Sequence, residues 1–72
     1  MVKTIHTEEY RKVTESLKKA RIEAGLTQGE AAKKSGKPQS YISKVENGKQ
    51  RIDVVELKEL AKLYGKKTSY FI

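Results

Sequence analysis

The chain has 72 residues, no cysteine, one histidine and a formal net charge of +7. This length suffices for one small domain, and the composition excludes a disulfide framework and nearly excludes a Cys/His zinc site. No apolar run approaches the roughly 20 residues of a membrane span and no signal-peptide pattern occurs, so we expect a soluble, cytoplasmic protein without a membrane partner.

The first predicted helix begins after Thr7 and ends at Gly25. Thr7 is a typical N-cap, and Glu8 and Glu9 follow it, where the helix dipole favours acids. The predicted apolar face, spaced by three and four residues, consists of Tyr10, Val13, Leu17, Ala20 and Ala24.

The second predicted helix is short and lies between Thr27 and Gly36. Thr27 and Glu30 match a capping box, in which each side chain satisfies a backbone donor of the other residue. Gly36 ends the helix.

The third predicted helix covers residues 38–47. Pro38 suits its first turn, where a missing N–H has no effect, and Asn47 and Gly48 end it in a left-handed turn. Its predicted inner face consists of Pro38, Tyr41, Ile42 and Val45. Its opposite face consists of Gln39, Ser40, Ser43, Lys44 and Asn47.

The fourth predicted helix begins at Asp53, with an acid three residues later at Glu56, and ends at Gly65. A final turn starts at Thr68 or Ser69. The predicted buried stripe of the fourth helix consists of Leu57, Leu60, Ala61 and Tyr64.

These elements predict an all-α fold, a compact bundle of four to five helices. Strand patterns, internal repeats and linkers are absent from the sequence. We therefore expect one domain over residues 1–72, with an N-terminal tail at 1–6 and a C-terminal turn at 66–72.

Most of the excess positive charge lies in one quarter of the chain. Residues 33–51 carry six basic side chains and one acid, a balance of +5, whereas the segments on either side carry +1 each. A solvated surface is the usual meaning of a charge run. Concentration in one segment favours a polyanion as partner.

The polar face of the third helix has the chemistry that reads base edges. Its side chains are amides, hydroxyls and an ammonium group, with no acid among them. Gln pairs with adenine and Lys reaches guanine in a major groove about 12 Å wide. A solvated polar face is the alternative, and it would be favoured without the clustered charge.

An ordered set of residues carries a family resemblance over about Tyr10 to Tyr64. The set consists of Arg21, Gly25, Leu26, Thr27, Gln28, Ala32, Gly36, Ile42, Val45, Glu46, Asn47, Gly48 and Lys49. At this spacing the chain resembles the Cro/cI-like (XRE) domains, which have the lambda-repressor-like fold and a central helix-turn-helix, here at about residues 27–47. The resemblance implies a sequence-specific DNA-binding regulator. Its implied docking geometry is that of the phage repressors of the same class.

The resemblance also implies roles for individual residues. The residues implied to contact bases are Gln39, Ser40, Ser43 and Lys44. The residues implied to contact phosphates are Gln28, Tyr41, Asn47, Lys49 and Arg51. For Tyr41, the alternative is packing under the helix. For Gln28, the alternative is a surface position beside the capping box. For Lys49 and Arg51, the alternative is that their side chains are simply solvated. Arg21 and Glu46 match a structural ion pair.

Double-stranded DNA is the implied partner, bound as a near-palindromic operator by a symmetric homodimer acting as a repressor. The candidate dimer surface consists of Leu63, Tyr64, Tyr70, Phe71 and Ile72. The alternative is that this end of the chain folds back onto the first helix. An antitoxin that binds a toxin and represses its own operon remains the second functional reading.

No enzyme, cofactor, metal or small-molecule ligand is expected, because nucleophile sets, phosphate loops and clustered carboxylates are all missing from the sequence. His6 is expected to be a surface residue. Three positions depart from the family pattern, because Ala31, Ser35 and Lys37 replace residues that are commonly larger or apolar. They predict looser packing around the second helix, unless Tyr10 or Tyr41 fills the space.

Overall fold

The computed structural model describes residues 8–71. Its elements are α1 (Glu8–Glu23), α2 (Gln28–Ser35), α3 (Gln39–Glu46), α4 (Val54–Leu63) and a final 3-10 turn (Thr68–Tyr70). The predicted all-α fold is confirmed, since the described residues contain only helices and the turns between them. The expectations for Thr7, His6 and the N-terminal tail concern residues outside this range.

Side-chain caps begin α2 and α4 as the sequence predicts. At α2, the Glu30 amide donates to Thr27 Oγ1 over 3.0 Å and the Thr27 amide donates to Glu30 Oε1 over 2.9 Å. At α4, Asp53 and Glu56 exchange the same pair of bonds at 2.7 and 3.1 Å. Each box satisfies donors that the first turn of a helix leaves unpaired.

The turn between α2 and α3 depends on a glycine. Gly36 has a φ of 73°, a left-handed conformation that L side chains rarely adopt. Pro38 follows as the N-cap of α3, one position before the first-turn placement expected for it, and its side chain is exposed. It therefore does not belong to the inner face of α3.

The core is built from one face of each helix. Its buried apolar residues are Leu17, Ala20, Ala31, Ala32, Tyr41, Ile42, Val45, Ile52, Leu57, Leu60, Ala61, Tyr64 and Phe71. The predicted stripe of α4 is confirmed in full. On α1 the prediction is wrong for Ala24, which is exposed because the helix already ends at Glu23. Thr14 and Arg21 are buried on that face instead.

The region around α2 shows how the chain accommodates its small and polar residues. Ala31 is completely buried, and the Tyr41 ring belongs to the same apolar cluster. Lys37 lies over the Tyr41 ring, 5.1 Å from its centroid, and its Nζ lies 3.6 Å from Glu56 Oε2. A lysine at this position is thus bound to α4 by charge.

The C-terminal turn packs back onto the bundle, which removes Tyr64 and Phe71 from the predicted dimer surface. Tyr64 and Phe71 are only 5% and 6% exposed and belong to the core. The turn itself contacts α4, and Phe71 belongs to the apolar cluster against which Val13 of α1 packs. Tyr70 stays 40% exposed and contacts Phe71 edge to face at 5.0 Å. Leu63 is half-buried, and Ile72 lies outside the described residues.

Across residues 8–71, the helices are too short or too polar to cross a membrane.

Candidate nucleic-acid interface

The inner face of α3 holds the helix firmly in the bundle. Tyr41, Ile42 and Val45 are 8%, 1% and 1% exposed, and α3 packs against both α2 and α1. A short helix has little stability of its own, so its orientation comes from this packing. The direction of its outer face is therefore set by the core.

Most polar groups on the outer face of α3 are not used within the described part of the fold. Gln39, Ser40 and Lys44 are exposed, and within the described part of the chain their side chains make no hydrogen bond or ion pair. Ser43 is half-buried, and its Oγ accepts a hydrogen bond from Asn47 Nδ2 at 3.4 Å. The structure thus brings the four residues implied to contact bases onto one accessible strip.

The positive charge around this strip is largely unneutralised. Lys37 is paired with Glu56. Among residues 8–71, five bases of the basic segment are exposed and make no salt bridge: Lys33, Lys34, Lys44, Lys49 and Arg51. The segment's one acid, Glu46, has a side chain only 3% exposed. Of these bases, Lys44 lies on α3 and Lys49 and Arg51 lie in the loop after it, which makes this surface attractive to phosphates.

Glu46 is the centre of a network that joins three helices. Arg21 Nε and Nη2 donate to its two carboxylate oxygens over 2.7 and 3.2 Å, and Arg21 Nη1 donates to the Leu26 carbonyl over 2.8 Å. The hydrogen bond to Glu46 raises the pKa of Arg21. Two parallel bonds from a guanidinium to a carboxylate fix geometry as well as charge. The pair therefore connects the end of α1 to the end of α3.

Gln28 extends this network to the first residue of α2. Its Nε2 donates to Glu46 Oε1 over 3.0 Å, and its side chain is half-buried. One amide proton is used in this bond and the second remains available. Gln28 also lies at a helix N-terminus, where unpaired backbone N–H groups favour anions. Its contact with a DNA phosphate remains a prediction, with the side chain now held by Glu46.

The phosphate contact expected of Tyr41 does not fit its position. Its hydroxyl is enclosed, and no hydrogen-bond partner for it occurs among the residues described. Burial, reinforced by the nearby Glu56 carboxylate, raises the pKa of Tyr41. A phosphate oxygen cannot reach a buried donor, so the packing alternative describes this residue.

The loop after α3 carries the remaining residues expected at phosphates. Asn47, Lys49 and Arg51 are all exposed. The sequence did not reveal that Tyr10 holds this loop from α1. Its hydroxyl accepts from the Ile52 amide over 2.7 Å and donates to the Gln50 carbonyl over 3.4 Å. The sequence feature that could have indicated this contact is a tyrosine on the apolar face of α1, because a buried tyrosine hydroxyl usually finds a hydrogen-bond partner.

Groups of three or more His, Cys, Asp or Glu that could hold an ion do not occur in the stretch from residue 8 to residue 71.

Comparisons with known proteins identify this arrangement. The family model HTH_3, described as a helix-turn-helix, matches residues 17–71, so the chain contains a helix-turn-helix DNA-binding domain. The solved structure of an XRE-family like protein from Pseudomonas syringae pv. tomato str. DC3000 is 39% identical and superposes with a TM-score of 0.84. The match covers 96% of this chain and 84% of that one. No curated protein matches significantly.

The chain belongs to the XRE family of helix-turn-helix proteins. It is accordingly a DNA-binding transcription regulator of the XRE type, and double-stranded DNA is its partner. The family domain is regulatory and is not typically enzymatic.

Proposed function

We propose that the protein is a sequence-specific repressor, which binds a near-palindromic operator as a symmetric dimer with α3 in the major groove. The observation that carries the proposal is the outer face of α3, where Gln39, Ser40 and Lys44 are exposed and make no bonds within residues 8–71. Unpaired amide, hydroxyl and ammonium groups need not break existing bonds when they meet base edges.

Specificity and affinity come from different parts of this surface. Gln39 is suited to adenine and Lys44 to guanine, with Ser40 and Ser43 adapting to their neighbours. The phosphate contacts come from Gln28, Asn47, Lys49 and Arg51. Phosphate contacts position the protein and make its affinity depend on salt, while base contacts decide the sequence.

A dimer is proposed because one half-site offers too few contacts for tight binding. Two recognition helices about 34 Å apart would then occupy successive major grooves of a palindrome. Among the described residues of the predicted dimer surface, Leu63 and Tyr70 keep exposed area, so they remain candidates for that role. A dimer seated on a promoter would repress by excluding polymerase.

The decisive experiment is selection of duplexes from a randomised pool, followed by binding measurements on the selected and a scrambled duplex across a salt series. Gln39→Ala and Lys44→Ala should each relax the preference at one base pair. Lys58→Ala, which removes an exposed lysine from α4, is the matched control and should retain the preference. Failure to enrich any sequence, or an equal loss on every sequence, would contradict base reading.

Two further measurements test the finer parts of the proposal. Native mass spectrometry of the complex should find two chains on each selected duplex, and one chain would contradict the dimer. Placing the selected site over a promoter in a purified transcription reaction should lower transcript yield, and an increase would contradict repression. A stably co-purifying toxin would support the antitoxin alternative.

A further inference from the structure

Gly29, the second residue of α2, lies under the side chain of Gln39, the first residue of α3. A Cβ built on Gly29 would lie 3.4 Å from Gln39 Oε1, 3.9 Å from its Cδ and 3.9 Å from Thr27 Oγ1. The carboxamide of Gln39 therefore lies beside the place that a side chain at position 29 would occupy. Gly29 does not have a positive φ, so the backbone does not require glycine at this position.

This proximity matters because no hydrogen bond or ion pair within residues 8–71 restrains the Gln39 amide. Within the described residues the amide makes no hydrogen bond, and Gln39 is exposed at the start of α3. A glutamine side chain has three rotatable bonds and loses much rotamer freedom when it is held in place. A surface that limits its directions lowers the entropy lost on meeting a base.

We infer that Gly29 is a specificity-determining residue, which acts through Gln39: its missing side chain leaves the space in which the Gln39 carboxamide lies ready to meet a base. This inference rests on the proposed function, because it assigns Gln39 the base contact made there. Gly29 itself is a positioning residue and need not touch DNA.

The distances set a size limit at this position. A methyl group at 3.4 Å from the amide oxygen is in ordinary van der Waals contact, so alanine fits with little movement. A γ-carbon reaches about 1.5 Å further from the backbone. Helical rotamers direct it back toward the start of α2, where Thr27 and the Gln39 amide lie. A long side chain at position 29 should therefore displace Gln39.

The test compares Gly29→Leu with Gln39→Ala on the duplex selected by the wild-type protein and on its single-base variants. Leucine is a good helix former, so the helix itself should persist. We expect Gly29→Leu to lose the preference at the base pair read by Gln39, a loss of about 5- to 150-fold. The double variant should lose no more preference than Gln39→Ala alone, because both changes remove one contact.

Lys58→Leu is the control, since it adds the same apolar side chain to an exposed position of α4. It should leave the base preference as in the wild type. Retention of wild-type preference by Gly29→Leu, or an equal loss on all duplexes, would overturn the inference. In either case Gln39→Ala still reports on base reading, so failure of the inference is distinct from failure of the proposed function.

A second measurement needs no DNA. Nuclear Overhauser effects between the Gly29 Hα protons and the side-chain protons of Gln39 should be visible in the free protein. In Gly29→Leu the Gln39 amide resonances should shift, and its contacts with residue 29 should change. Absence of the effect in the wild type would overturn the inference whether or not the protein selects a sequence.

Discussion

The two faces of α3 differ in almost every physical respect, although the helix has only eight residues. The inner face is packed out of water, with Ile42 and Val45 each 1% exposed. The outer face is exposed, and its Gln39 and Lys44 side chains make no bonds with the rest of residues 8–71. The inner face of α3 therefore contributes to stability and the outer face is available for recognition. Most substitutions in α3 should change either the stability or the DNA binding, but not both.

Glu46 is the point at which this separation is incomplete. Its carboxylate binds Arg21, which is part of the buried framework, and also Gln28, which is expected at a phosphate. A change at Glu46 should therefore affect mainly stability, with a smaller and sequence-independent effect on DNA affinity. The predictions below test how far the two faces are independent, from the largest expected effect to the smallest.

Glu46→Ala should lower the free energy of unfolding by about 3–5 kcal/mol, because it leaves the buried Arg21 guanidinium without its carboxylate. Urea denaturation followed by circular dichroism measures the change. Base preference on the selected duplex should be kept. Arg11→Ala is the matched control, since it breaks two ion pairs on the exposed side of α1 and should change the midpoint little. Equal effects of the two variants would contradict the structural role of Glu46.

The raised pKa of Tyr64 predicts that the stability of the buried core depends on pH. Burial, with the Glu46 carboxylate next in effect, raises its pKa to about 12 from an ordinary 10.0. The unfolded chain loses this proton first as pH rises, so the stabilisation is complete below pH 10 and disappears as pH passes from 10 to 12. The shift corresponds to roughly 3 kcal/mol.

The measurement for Tyr64 is the free energy of unfolding at several alkaline pH values. Tyr64→Phe should flatten the decline by that amount, whereas Tyr70→Phe, at a residue 40% exposed, should not. An unchanged pH dependence in Tyr64→Phe would show that its hydroxyl is accessible to water in the folded state.

Lys44→Ala should weaken binding to the selected duplex by about 1–3 kcal/mol and relax the preference at one base pair. Its thermal midpoint should equal that of the wild type, because the side chain makes no contact that an unfolding measurement would detect. Fluorescence anisotropy on single-base variants of the duplex measures the first effect. A uniform loss on all duplexes, with a smaller salt slope, would mean that Lys44 contacts a phosphate.

Gly29→Ala should raise the free energy of unfolding by up to about 1 kcal/mol, since glycine is a weak helix former and the new methyl group fits against Gln39. Thermal denaturation measures this small gain. A lower midpoint would indicate that the methyl group forces α2 and α3 apart, and it would make the spacing between the two helices tighter than the distances suggest.

Local signals in the sequence predicted the elements well. The capping boxes at Thr27 and Asp53 and the glycine at position 36 lie where expected, because caps and left-handed turns depend on a few adjacent residues. Apolar spacing gave the correct inner face of α4, and of α3 apart from its first residue. The predicted helix ends differ from the observed ones by one or two residues. Ala24 and Pro38, which lie just outside α1 and α3, were for this reason placed on buried faces.

Long-range contacts were not predictable in the same way. Tyr64 and Phe71 were predicted at a dimer surface, because periodicity cannot tell an apolar residue that covers its own bundle from one that covers a partner. For Tyr41 the hydroxyl suggested a polar role, and only the packing of Lys37 and Glu56 around it decides the outcome. Arg21 and Glu46 were paired through the family resemblance, since 25 residues separate them in sequence.

The hydroxyl of Tyr10 has a consequence for the thermodynamics of DNA binding. It joins α1 to the backbone of Gln50 and Ile52, 40 and 42 residues away, and so fixes the loop that carries Lys49 and Arg51. A loop that is already ordered in the free protein does not fold when DNA arrives. Complex formation should then show only a modest negative heat capacity change, without the large ordering contribution of coupled folding and binding. Tyr10→Phe would shift part of that ordering into the binding step, and calorimetry at several temperatures would register it as a more negative slope of enthalpy against temperature.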